Sequence, residues 1–231
     1  MNKICKLSAI ALLASSTSLM AQSKSFEGVS LGLSVSGIGV EVSGSNTNTS
    51  GSSGTGSLGK VAEIAAVDLS YGYATSANSI IQIGATYTPG KAKAGSGTFT
   101  DNVGSNNSSA SVNIEVKDPY TIYIAPTYVV SKDSAIYAKV GYSHADTNAS
   151  STGNATLSRK PGDLEGWSYG IGSKTMLTPN LYLGVEATIT DYDAVTATTT
   201  QGAEGPGNSS ARTVNADIKT VQGVITLGYK F

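Results

Sequence analysis

The sequence predicts an all-β fold, an eight-stranded antiparallel up-and-down transmembrane β-barrel, and three observations carry that expectation. Apolar residues recur at every second position in segments of roughly ten, the connections between segments alternate between long and very short, and charge is scarce. Of 231 residues only 13% are charged, against about 25% in soluble domains, and the difference is made up by Gly, Ser, Thr, Asn and Tyr rather than by aliphatic residues. Beyond the N-terminus there is no stretch of about 18 apolar residues, which excludes a helical membrane protein. The 15 basic and 16 acidic residues nearly cancel and form no basic stripe, so nucleic acid is not an expected partner. A length near 230 residues fits a single β-barrel domain.

The first 23 residues carry Lys3 and Lys6, an apolar run over 7–13, and a small-residue end, the pattern of a secretory signal peptide. Cleavage after Ala21 leaves Leu19 at the third position back and cleavage after Ser23 gives the better small-x-small pattern, Ala21-Gln22-Ser23; both stay open, and the barrel domain is expected over 24–231. The single cysteine, Cys5, lies within the leader, so neither thiolate catalysis nor a disulfide is expected in the mature chain. Loss of Lys3 and Lys6 leaves 13 basic against 16 acidic residues, a net charge of −3.

The eight segments follow in order. The first has Val29, Leu31, Leu33 and Val35 in phase, then shifts at Gly37 to Ile38, Val40 and Val42, as a bulge would do. The second spans about 61–73 and the third holds Ile81, Ile83 and Tyr87. A long fourth keeps one phase from Val112 and Val116 through Tyr120, Ile122 and Ile124 to Val130. The fifth contains Ile136, Val140 and Tyr142, and the sixth Trp167, Tyr169 and Ile171. The seventh contains Leu183, Val185 and Ile189, and the eighth Val221, Ile225, Leu227 and Tyr229. Short turns are expected at 75–78, 131–134 and 177–180, where Ser, Asn, Asp and Pro gather. The long polar connections at 43–59, 88–111, 145–166 and 192–213 are expected to be mobile and extracellular.

In a bilayer the apolar face of each strand points out to lipid and the alternate positions point inward. Those alternate positions hold Ser30, Ser34, Asp68, Ser70, Gln82, Thr86, Glu115, Lys117, Lys139, Lys174, Glu186 and Thr188. Eight strands leave an interior just filled by side chains, so Asp68, Lys139, Lys174 and Glu186 are expected to form an ion-paired plug, with a gate as the alternative role, and a watery rim position fits Glu115, Lys117 and Lys174 equally well. Tyr71, Tyr73, Tyr87, Tyr128, Tyr142, Trp167, Tyr169 and Tyr229 fall toward strand ends, where interfacial aromatic girdles belong.

The C-terminal residues GVITLGYKF, 223–231, alternate apolar and polar and end on an aromatic residue. They resemble the terminal signal by which bacterial outer-membrane proteins are inserted, with Leu227, Tyr229 and Phe231 as its apolar and aromatic positions. The segment GWSYGIGSKTMLTPNLYLGVEATITDYD, 166–193, is similar to the penultimate hairpin of the small eight-stranded outer-membrane family that includes opacity-type proteins and the transmembrane domain of outer membrane protein A. That resemblance implies a Gram-negative outer-membrane location. It also implies insertion by the barrel-assembly machinery and contact with outer-membrane lipid and lipopolysaccharide. The roles it implies range over adhesion, surface protection, envelope integrity and weak pore formation.

Chemistry is sparse. His144, the only histidine, is followed by Ala145 and Asp146, which breaks the His-x-Ser pattern of lipid A deacylases, and a His-Asp pair without a nucleophile is incomplete. GIGSKT at 170–175 has the wrong glycine spacing for a phosphate loop. Asp101, Asp146, Asp163, Glu165, Glu204, Asp191 and Asp193 lack the dense spacing of a calcium loop, and Arg159, Lys160 and Arg212 are candidates only for lipid phosphate. No catalytic residue, metal or cofactor is expected. The sequence reading is a non-enzymatic surface protein with a structural or adhesion-like role, with a possible extracellular ligand for its loops and a narrow channel as the alternative.

Overall fold

The computed structural model describes residues 23–48, 53–103, 106–153, 155–159, 162–202 and 209–231. Residues 1–22, all but the last of the expected leader, lie outside them, as do Lys160 and Glu204 and the side chains of Asp101, Arg159 and Arg212. After a short 3-10 turn, Ser23–Ser25, the strands are β1 (Gly28–Asn48), β2 (Ser53–Ala74), β3 (Ser79–Tyr87), β4 (Lys91–Val103), β5 (Asn106–Ser131), β6 (Ser134–Gly153), β7 (Ala155–Arg159), β8 (Leu164–Met176), β9 (Leu181–Gly202) and β10 (Ser209–Lys230). Eight of them close in the order β1, β2, β3, β5, β6, β8, β9, β10, with β10 returning to β1 and every pairing antiparallel. Closure removes both sheet edges and satisfies the backbone internally, the condition for crossing lipid. The three short turns sit at the expected places, each tied by a backbone bond such as Leu177 N–H to the Leu181 carbonyl at 2.7 Å.

Pairing runs further than the apolar pattern indicates. The segments expected as polar loops form outer hairpin arms: β1 pairs with β2 out to Thr47–Ser53, β4 pairs with β5, and β7 pairs with the outer end of β9. The ladder continues because backbone N–H and C=O groups need partners whatever the side chains are, and because stretches such as VTATTT at 195–200 are rich in β-branched residues.

Two phase expectations are corrected by the register. Ser36, Gly37 and Ile38 oppose Val224, Gly223 and Gln222 without interruption, so there is no bulge at Gly37. Ile38 and Val40 stay on the inner side and line the lumen. Conversely, the fourth segment does not keep one phase. Lys117 opposes Asp146 and Tyr120 opposes His144, so two residues of β5, Asp118 and Pro119, face a single Ala145. Asp118 takes φ +46°, and its carboxylate accepts the Gly90 N–H at 2.9 Å while its own N–H donates to the Gly90 carbonyl at 2.9 Å. This bulge turns Val116 inward against Leu164 and Ile218 and swings Glu115 and Lys117 out of the lumen set.

These two corrections share a cause. Along the lower part of the barrel the largest apolar side chains face outward, with Leu33 65%, Ile83 59% and Ile171 69% exposed, while Ser30, Ser34, Ser70, Gln82 and Thr188 are buried inside. Above that belt the polarity inverts. Glu41, Glu63, Asp146, Glu165, Asp191 and Lys219 are exposed on the outer wall, and Ala145, Leu164, Val195, Ala216 and Ile218 form a buried cluster within, joined by Val40, Val116 and Tyr192. The lower barrel is built for lipid and the upper barrel for water on its outer wall.

All eight expected girdle aromatics are exposed on the outer wall. Tyr71, Tyr73, Tyr128 and Tyr229 mark the end bearing the short turns; Tyr87, Tyr142, Trp167 and Tyr169 mark the other. The short-turn end is covered by the chain's own start. Ser23, buried, donates its N–H to the Ala77 carbonyl at 3.1 Å, and Phe26 packs against Ile80, Val129 and Ala135.

Candidate functional site

Between the lower apolar cap and the upper apolar cluster lies a polar layer built on inward positions of six strands. Lys139 of β6 donates to Glu186 Oε1 of β9 at 2.6 Å, both side chains being 10% exposed. Glu186 also accepts from the Tyr137 hydroxyl at 2.8 Å and from Thr188 Oγ1 at 2.6 Å, so its two oxygens take three donors. Asp68 of β2 accepts from the Tyr123 hydroxyl at 3.0 and 2.9 Å and from Thr86 at 2.9 Å. Lys174 of β8 donates to Gln82 Oε1 at 2.8 Å, and its ammonium stands 5.4 and 5.1 Å over the rings of Tyr137 and Tyr182. Lys139 likewise stands 4.7 Å over the Tyr123 ring. Cation–π contact and charge-assisted hydrogen bonds offset part of the desolvation of these ions.

The four ionic residues named from sequence therefore occupy one layer, but they do not form one ion-pair network. Among the described residues Lys139–Glu186 is the single direct pair within it; Asp68 is held by hydroxyls and Lys174 by an amide oxygen and two rings. Above it, Thr121, Ser143, Ser168 and Thr190 form a hydroxyl chain across four strands with 2.6 Å spacings. A cavity of about 390 Å³ reaches from Asp68, Lys139, Lys174 and Glu186 up to Ile38 and Ile64. At its upper margin the Tyr192 phenol is pushed up to about 12 by burial.

Tyr123 is the member of this layer that the apolar pattern hides, because tyrosine also serves as a girdle residue. Its signal lies in the neighbours: it is flanked across the sheet by Gly84 on β3 and Gly141 on β6. Tyr137 lies beside Gly172 and Tyr182 beside Gly228 in the same way. A Cβ on Gly84 or Gly172 would stand 2.5 Å from the hydroxyl of its tyrosine, so the glycines make room for rings that fill the lumen.

The remaining sequence candidates have simple placements. GIGSKT lies within strand β8 with no helix after it, so it is a strand and not a phosphate loop. Leu227, Tyr229 and Phe231 face outward on the closing strand, Tyr229 and Phe231 meeting edge to face at 5.1 Å, and the Phe231 N–H donates to the Val29 carbonyl at 2.9 Å. His144 stands on the outer wall at the upper rim. The side chains that meet it are Asp146, Glu165 and Tyr120.

Residues 9–231 match the family model described as outer membrane protein beta-barrel domain. Among solved structures, the chain is similar to the outer membrane protein OprG from Pseudomonas aeruginosa, at 14% identity and TM-score 0.54, covering 89% of this chain and 97% of that one. It is also similar to the outer membrane protease OmpT from Escherichia coli, at 11% identity and TM-score 0.51, covering 88% and 97%. At these identities the likeness concerns the fold alone. No curated protein matches the sequence. A closed ring of eight strands with lipid-facing apolar residues, matched over nearly its whole length, belongs to the outer membrane protein β-barrel domain family and resides in the outer membrane of Gram-negative bacteria.

Proposed function

We propose that this protein is a non-enzymatic barrel with a polar, largely closed interior, serving an envelope structural or surface-interaction role through its outer hairpin arms. The observation that carries this reading is the layered filling of the lumen: Phe26 with Ile80, Val129 and Ala135 at one end, the ionic layer in the middle, and Leu164, Ile218 and their neighbours at the other. A lumen stacked in this way favours rigidity over transport. The partners that follow are outer-membrane lipid around the belt, lipopolysaccharide beside the charged outer wall, the barrel-assembly machinery at Leu227, Tyr229 and Phe231, and an extracellular ligand on the hairpins.

OmpT shows that this fold also carries proteolysis, yet the only histidine here faces outward, and among the described residues its ion-pair partners are the carboxylates Asp146 and Glu165, with no serine or cysteine. An unchanged lipid A mass profile on deletion, together with no peptide cleavage by the purified protein, is expected.

A second reading is a narrow channel gated by Asp68, Lys139, Lys174 and Glu186, and the cavity that reaches up from them favours it. The buried Tyr182 hydroxyl, which has no hydrogen-bond partner among the described residues, adds room for rearrangement. Planar-bilayer recording of the refolded chain separates the two. The closed barrel gives no discrete conductance; stable current steps that change in Glu186→Gln establish the channel instead.

A further inference from the structure

We infer that the upper outer wall carries a zinc-type divalent metal site formed by His144, Asp146 and Asp163, with Glu165 orienting the histidine. The arrangement follows from strand geometry. Residues two apart on a strand share a face, so His144 and Asp146 stand together on β6. Antiparallel register places Glu165 of β8 directly opposite His144, and Asp163, two residues earlier, completes the other side. One ligand atom from each of His144, Asp146 and Asp163 lies within 4.8 Å of the others. Metal–nitrogen and metal–oxygen bonds near 2.0–2.2 Å require donors about 3.4 Å apart, which small side-chain rotations at this rim supply.

The set differs from a purely acidic patch because it contains an imidazole, 22% exposed, set between Asp146 and Glu165, whose side chains are 62% and 51% exposed. Its Nε2 faces Asp146 Oδ1 at 3.4 Å, and its Nδ1 faces Glu165 Oε1 at 3.6 Å. A metal-binding histidine commonly gives its second nitrogen to a carboxylate, which fixes the tautomer and turns the free lone pair to the ion. Glu165 is in turn fixed by the Tyr142 hydroxyl at 2.9 Å, and the His144 ring packs on Tyr120 at 5.2 Å. Asp163 accepts the Thr147 N–H at 3.4 Å. Among the described residues no lysine or arginine pairs with Asp146, Asp163 or Glu165; Lys117, across the strand from Asp146, makes no ion pair with it. A nitrogen donor with two carboxylates suits zinc better than calcium or magnesium, which take oxygen alone.

The test uses the full chain without a polyhistidine tag, refolded in detergent micelles and titrated with zinc sulfate by calorimetry. His144, the only histidine, gives a single set of imidazole resonances to follow by NMR. One zinc per barrel is expected, with His144 resonances moving on saturation. Affinity should fall at least tenfold in His144→Gln and in Asp163→Asn, and by a smaller factor in Glu165→Gln, with heat-modifiable gel mobility unchanged in all three. Calcium at a hundredfold excess should leave zinc bound. Zinc uptake equal in wild type and His144→Gln, or displacement by equimolar calcium, would reduce the cluster to solvated charge and overturn the site.

Discussion

Lys139 Nζ lies 2.6 Å from Glu186 Oε1 at the centre of the barrel, with both side chains nine-tenths buried. Removing one partner strands the other charge in a low-dielectric interior, so Glu186→Ala should cost about 3–5 kcal/mol. Replacing both by apolar residues of similar length, Lys139→Met with Glu186→Leu, should restore most of that. Urea unfolding midpoints in lipid vesicles check both, and a double variant as unstable as the single one would show that the pair matters through Tyr137 and Thr188 rather than through its charges.

The glycines beside the lumen tyrosines should respond unequally to an added methyl group. Gly172→Ala drives a Cβ into the Tyr137 ring and should cost about 1–3 kcal/mol, the usual range for overpacking. Gly37→Ala and Gly223→Ala meet nothing within 4 Å and should be neutral within about 0.5 kcal/mol. The same unfolding assay reads both, and equal effects would contradict the lumen packing.

The polarity inversion predicts opposite outcomes for one type of change at two heights. Ile171→Arg places a charge on the lipid face and should destabilise by about 2–4 kcal/mol if it lies near the midplane. At the upper level it is the inner wall that is apolar, so Leu164→Ala should cost about 2–5 kcal/mol through the cavity it leaves. Glu63→Arg, on the outer wall above the belt, should be tolerated.

Ser23 belongs to the folded structure, buried and bonded to Ala77. Of the two cleavage sites open in the sequence, the one after Ala21 keeps that contact and the one after Ser23 deletes it. Intact-mass analysis of protein from outer membranes should therefore give a mature chain starting at Gln22, and a chain starting at Lys24 would contradict this assignment.

The lower barrel was legible in the sequence because lipid imposes a strict period of two there, so strand order, the short turns and the girdle aromatics could all be read from Val29 to Tyr229. Legibility failed where the solvent changes. Ile38 and Val40 read as a phase break because the apolar face moves from outside to inside above the belt. The real break at Asp118–Pro119 was masked because Val116 and Tyr120 share a parity that only register distinguishes. The polar arms read as loops because composition reports solvent and not backbone pairing. In the ionic layer, inward parity identified Asp68, Lys139, Lys174 and Glu186, but which donor each would take depends on strand stagger, which no local pattern encodes.

The most direct test of the lipid-embedded barrel uses its only tryptophan. Trp167 is 52% exposed on the outer wall at the upper girdle, packed edge-on against Tyr142 at 5.7 Å. In vesicles of lipids brominated at different acyl depths, its fluorescence should be quenched, and more strongly by shallow than by deep bromines. Fluorescence untouched by bromine at any depth would place this wall in water and contradict the barrel's orientation of its faces.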